Sequence, residues 1–196
     1  MKSIEPFIAP QSVRVVAGTL LPGLAALGPY FALGYSRFSW LGEILKQYPW
    51  AIVASIITLG YLGGLVISSL GCQIEEWIVN LTFRSKSERE EMINAWHSYL
   101  RSNSDTNSVG HKYLGLLVTW MKFNSSMIPA ALIFTIGLHI HNSCWTTLSC
   151  GELTLITVLL LLLIVWLTYR TIRAVKELHE VRMAFETPDT TKAHKD

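Results

Sequence analysis

The hydrophobic positions of this chain fall into four long runs that contain no charged residue: 15–36, 47–74, 123–151 and 153–169. The last run, LTLITVLLLLLIVWLTY, is apolar almost all round. As a helix it would be roughly 25 Å long, close to the thickness of a bilayer core. A helix without a polar face is buried either in a protein core or in lipid. Because four runs share this character, they predict four transmembrane helices.

The composition supports a membrane chain. Of the 196 residues, 51% are hydrophobic and 15% are charged, whereas about 25% charged residues is usual for a soluble domain. Four spans leave little chain for a separate soluble domain. The predicted fold is therefore all-α, a polytopic membrane protein with a small helical insert.

Polar segments divide the chain into four parts. Residues 1–86 hold an irregular N-terminal lead and spans one and two, and residues 87–122 form the helical insert. Residues 123–186 hold spans three and four with a helical extension, and residues 187–196 are a polar tail. The second half of the insert either continues directly into span three or bends near residues 124–129.

The basic residues predict the orientation in the membrane. Of the 16 lysines and arginines, fourteen lie in the two termini and the loop between spans two and three. Only Arg37 and Lys46 lie in the other two loops. The positive-inside rule therefore places both termini and the insert in the cytoplasm. Such a chain is expected to contact the lipid bilayer through all four spans.

The insert and the tail each carry an apolar stripe at helical spacing, and a solvated helix alone would leave such a stripe exposed. We expect residues 87–121 and 170–186 to pack as one cytoplasmic unit, with contacts among Trp96, Tyr99, Trp120 and Leu178. The alternative is that Trp96 and Trp120 lie on the bilayer surface as interfacial anchors.

Gly60 and Gly64 are four residues apart in span two, so they lie on one face of a helix. Small residues at this spacing let two helix backbones approach closely in a membrane. We expect this face to contribute to packing in a homo-oligomer.

Cys144 and Cys150 lie in the same predicted extracytoplasmic loop. Two cysteines exposed to an oxidising compartment are more often bridged than free, so the sequence predicts a disulfide between them. Its loop would be short enough to fix only the turn between spans three and four.

No catalytic or cofactor motif stands out. There is no phosphate-binding glycine loop, nucleophile elbow or CxxC pair. His139 and His141 are two residues apart, so on a helix they point away from each other and cannot share one metal. We expect no enzyme activity, metal, cofactor or direct nucleic-acid binding.

Glu75 and Glu76 lie at the expected inner boundary of span two, just after Ser68 and Ser69. In an oligomer, one carboxylate per subunit would form a ring at the inner mouth of a pore, with the serines along its wall. A solvated helical face explains the same acidic pair and is the more usual case.

The motif LLPGL at residues 20–24, the segment LGGLVISSLGCQIEEW at 62–77 and the small insert resemble four-span membrane components of bacterial antiviral defence systems, the Kiwa and Hailong systems among them. The resemblance implies an inner-membrane oligomer that works with a soluble cytoplasmic protein. That partner would bind nucleic acid in the first system and polymerise nucleotides in the second. The resemblance assigns no role to any single residue.

The sequence leaves three classes of function open. The first is a channel gated from the cytoplasm, or another effector that perturbs the membrane. The second is a membrane sensor or scaffold that recruits a soluble partner. A small membrane enzyme or transporter ranks last, because no ionisable residue is predicted deep in a span.

Overall fold

The computed structural model describes residues 15–38, 43, 44, 47–83, 109–145 and 148–186, and a few positions between 85 and 94. Helix α1 is Leu21–Arg37, and a π-helical turn, Val16–Leu20, precedes it. Helices α2, α3 and α4 are Pro49–Thr82, Val109–Trp145 and Cys150–Glu186. No β-strand occurs in these ranges. All four helices are long and apolar enough to cross a membrane, which confirms the predicted all-α polytopic fold.

Three of the helices are much longer than a bilayer requires. Helix α2 has 34 residues, and α3 and α4 have 37 each, whereas about 20 residues cross the hydrocarbon core. Their surplus lies at one end of the bundle, which we call the basic end because it carries Lys122, Arg170, Arg173 and Lys176. Helix α3 runs unbroken through Pro129, so the second half of the insert joins span three directly.

In the membrane part of the bundle, helices α1, α2 and α3 share one small core. Ala26, Ile67 and Ala130 are buried where the three meet. Helix α4 packs mainly on α3 and touches α2 much less. Its outward side exposes an apolar surface formed by Leu155, Val158, Leu159, Leu162 and Val165. This surface suits contact with lipid.

A second core holds the basic end together. It combines the end of α2, the start of α3 and the tail of α4, through Ile78, Phe83, Leu117, Met121, Ala174, Val175 and Leu178. The second half of the insert, which forms the start of α3, therefore packs on the tail of α4. Leu178 is buried in this core, as predicted. Trp120 is half exposed and lies outside this core, with its ring edge-on to Phe123. Trp96 and Tyr99 lie outside the described residues.

Candidate functional site

The outward face of α2 carries a line of polar side chains. Ser55, Ser69 and Glu76 share a seven-residue register, in which the apolar Leu62 takes the place between Ser55 and Ser69, so all four lie along a single side of the helix. All four are exposed, and so is Thr58 beside them. The buried residues of this helix lie on the opposite side, at Gly60, Gly64, Ile67, Gly71 and Ile78. The polar line therefore faces away from the chain's own bundle.

The hydroxyl groups near the start of this line are already satisfied. Ser55 Oγ donates to the carbonyl of Ala51, and Thr58 Oγ1 donates to the carbonyl of Ala54, each at 2.8 Å. Such bonds to the preceding turn make a hydroxyl tolerable in lipid. They leave the oxygen lone pairs free to accept a hydrogen bond from water or to contact a cation.

The four residues predicted to line or gate a pore do not share one face. Ser69 and Glu76 are exposed, whereas Ser68 and Glu75 are half-buried towards the other helices. The reason is helix geometry, because successive residues are about 100° apart around the axis. Only Ser69 and Glu76 of that set belong to the outward polar line.

The glycine face of α2 packs inside the chain. A Cβ atom added to Gly64 would collide with the carbonyl of Thr19, and one added to Gly60 would collide with the side chain of Leu24. From the α1 side, a Cβ on Gly23 would come within 2.6 Å of Gly64 N. Gly60 and Gly64 do pack helices together, but their neighbour is α1. Since α1 fills this face, a second copy could contact it only after displacing α1.

The three cysteines, Cys72, Cys144 and Cys150, are all free and exposed. The predicted disulfide between Cys144 and Cys150 is therefore absent from the structure. Cys144 lies within the last turn of α3, and Cys150 is the first residue of α4. Both thiols thus lie at the ends of two helices, whereas the prediction placed them together in one short loop.

Side-chain hydrogen bonds organise the turn between α3 and α4 instead. Ser149 N and Oγ donate to Glu152 Oε2 at 2.9 and 2.8 Å, and Glu152 N donates to Ser149 Oγ at 3.3 Å. This reciprocal pattern is a capping box. Leu148 N also donates to Asn142 Oδ1 at 2.8 Å. This capping box was not among the predicted features, although the Ser-x-x-Glu spacing at residues 149–152 indicates one.

His139 joins α3 to α4 near the end opposite the basic end. Its Nε2 lies 3.0 Å from Thr157 Oγ1, and Thr157 donates its own proton to the carbonyl of Leu153. His139 Nε2 is therefore the donor of the bond between the helices. Throughout the described ranges, no group of three or more His, Cys, Asp or Glu side chains is placed to hold a metal ion.

No protein-family model, curated protein or solved structure matches the chain.

Proposed function

We propose that the protein is a homo-oligomeric membrane channel, or a related membrane-perturbing effector, in which α2 lines the path. The observation that carries this proposal is the outward polar line of Ser55, Thr58, Ser69 and Glu76. Lipid offers no hydrogen bond to a carboxylate or to the lone pairs that these hydroxyl groups leave free, whereas a water-filled axis between subunits would hydrate them. The apolar surface of α4 from Leu155 to Val165 would then face lipid.

The same line supplies a candidate gate. Leu62 and Leu65 lie between Thr58 and Ser69 on the outward side and are about half exposed. A ring of leucines at a narrow point excludes water and blocks ions without a mechanical plug. Glu76 beyond them would form a negative ring at the basic end, which favours cations.

Helix α2 also provides a route for control. Two turns beyond Ser69 it enters the core of the basic end, where Ile78 packs with residues of α3 and α4. Movement of that core would shift or rotate α2 as a rigid rod. The positive-inside rule places the basic end in the cytoplasm, so a soluble cytoplasmic partner could apply the force.

The proposed setting is antiphage defence in the bacterial inner membrane, with both termini cytoplasmic. This part rests on the resemblance of residues 20–24 and 62–77 to Kiwa and Hailong membrane components. The insert at 87–122 is the proposed contact for the soluble partner.

A scaffold or sensor is the second candidate. It is favoured by an exposed stripe on the first turns of α3, formed by Tyr113, Leu116 and Trp120, each about half exposed. Aromatic and aliphatic side chains exposed together outside the apolar span suit a protein contact. In this case the membrane helices would only hold the stripe in place.

Planar-bilayer recording of the purified full-length protein tests the channel. Wild type should conduct, and Ser69→Leu should lower conductance because it replaces one hydroxyl of the outward line by an apolar side chain. Thr154→Leu is the matched control, since it changes an exposed hydroxyl on α4. Under a salt gradient, Glu76→Gln should weaken cation preference, whereas Glu180→Gln, an exposed change on α4, should not.

Two outcomes of these recordings would contradict the channel proposal. If the wild type carries no current under any trigger, while the insert captures its soluble partner, the scaffold stands. If Ser69→Leu and Thr154→Leu conduct alike, α2 does not line the path.

A further inference from the structure

A cleft between α3 and α4 lies at the basic end, and the proposed channel does not use it. Its volume is about 80 Å³, room for two or three groups the size of water at roughly 30 Å³ each. Trp120 and Asn124 line it from α3, and Arg170, Arg173 and Glu177 line it from α4. It is large enough for a phosphate group and too small to enclose a whole organic ligand.

The charges of the cleft favour an anion. Arg173 Nε bonds Glu177 Oε1 at 2.7 Å, which holds the Arg173 side chain in place. The Arg170 guanidinium lies 5.9 Å from the centre of the Trp166 ring, and no carboxylate in the described ranges pairs with it. Two guanidinium groups therefore face one carboxylate. Guanidinium groups match the oxygens of a phosphate with paired hydrogen bonds.

Asn124 adds a polar group to the α3 wall of the cleft. The residue as a whole is only 4% exposed. Because Asn124 lines the cleft, the NH₂ of its carboxamide could donate to an oxygen of a phosphate bound there.

The depth of the cleft identifies the source of the phosphate. Arg170 is the first charged residue after the apolar run of α4, and Asn124 is the second residue of the apolar run of α3. Both helices thus place the cleft at the membrane–water boundary. Trp120, Trp166 and Tyr169 are each at least half exposed around it, which is typical of side chains at lipid headgroups. The apolar surface of α4 continues from there towards Leu162.

From these observations we propose that the cleft binds the phosphate of an anionic phospholipid, with its acyl chains along α4. Arg170, Arg173 and Asn124 contact the phosphate, and Trp120 and Trp166 flank the glycerol region. Basic clefts between membrane helices bind anionic headgroups in this way. This site is independent of the proposed channel, since it requires only that α3 and α4 cross the membrane.

Native mass spectrometry and binding assays on the full-length protein in mild detergent test the site. Phosphatidylglycerol should be retained in preference to phosphatidylcholine. Arg170→Gln/Arg173→Gln should weaken its binding by roughly tenfold or more, because charge-assisted hydrogen bonds are the strong ones. Lys176→Gln is the control, since it removes an exposed charge of the same helix outside the cleft. Asn124→Asp keeps the side-chain volume but replaces the donor NH₂ by an acceptor oxygen, and it should also weaken binding.

Three outcomes would overturn the proposal. Equal retention of the two lipids would mean that the arginines are general interfacial anchors. If Lys176→Gln weakened lipid binding as much as Arg170→Gln/Arg173→Gln, the effect would come from net charge and not from the cleft. Displacement of the lipid by millimolar inorganic phosphate, with no effect of the acyl chains, would mean that the cleft binds a free anion. Circular dichroism of each variant confirms that the helices remain folded.

Discussion

At the residue scale, the closest contact between helices is made by glycines, which have no side chain. Gly23 of α1 lies against Gly60 and Gly64 of α2, so the two backbones touch where most residues would place a side chain. Gly71 makes a similar contact with Ser126 of α3, where an added Cβ would lie 2.9 Å from the Ser126 backbone. In lipid, where burial of apolar side chains gains little, such close packing is the main source of helix association.

Gly23→Ala should therefore destabilise the bundle by about 1–3 kcal/mol, the usual cost of forcing a methyl group into a packed interface. Gly34→Ala is the control, because an added Cβ there meets nothing within 4 Å, and alanine favours a helix over glycine by about 0.5–1 kcal/mol. Reversible unfolding in detergent and SDS mixtures measures both. If Gly23→Ala instead dissociated an oligomer without changing the unfolding free energy of the monomer, this face would have to contact a second subunit.

Cys144 and Cys150 should both react with a thiol reagent in the native, unreduced protein, because both are free and exposed. Mass spectrometry of the alkylated protein checks this. Replacing both by serine should leave the unfolding free energy unchanged, whereas removing a bridge would typically cost about 2–5 kcal/mol. Recovery of a cross-linked peptide without reductant would contradict the structure.

At the element scale, the three long helices each serve two environments. Helix α2 packs on α1 and α3 through Ile67 near its middle, and its last turns enter the core of the basic end. Helix α4 leaves most of its apolar span exposed, whereas its tail is buried against α2 and α3. Because a helix is stiff along its axis, the two regions cannot move independently of each other.

Ile78→Ala should disrupt the basic end, since Ile78 is 1% exposed and among the most buried side chains of the chain. A cavity of this kind usually costs about 2–5 kcal/mol. Leu81→Ala, one turn further along α2 at a position 49% exposed, should have little effect. Hydrogen exchange of the α4 tail measures the difference. Equal protection in both variants would show that this core does not hold the tail.

At the scale of the whole molecule, the distribution of charge and apolar surface suggests one orientation. The basic end carries the extended helices and their own core. From the fourteen-to-two division of basic residues, the positive-inside rule predicts that the basic end is cytoplasmic.

Cysteine labelling of intact cells tests this orientation. In a cysteine-free background, Glu180→Cys at an exposed position of the basic end should react with a membrane-impermeant maleimide only after the cells are permeabilised. A protein that keeps only Cys144 should react without permeabilisation. The reverse pattern would invert the proposed topology.

The sequence by itself determined the four spans, the all-α class and the helical continuation beyond the membrane. Each of these depends on the summed preference of neighbouring residues for lipid or water, which adds along the chain and needs no tertiary partner. The apolar stripe of the tail, in which Leu178 is buried, could also be predicted from the sequence because its apolar residues recur at helical spacing.

Only the tertiary structure decided which face of each helix meets which neighbour. Hydropathy cannot supply this, because lipid is as apolar as the side chains that pack in it. It therefore could not show that α1 covers Gly60 and Gly64, or that Ser69 faces outward while Ser68 does not. It also could not show that helix ends hold Cys144 and Cys150 as free thiols. Each of these outcomes depends on the fit between helices that are distant in sequence.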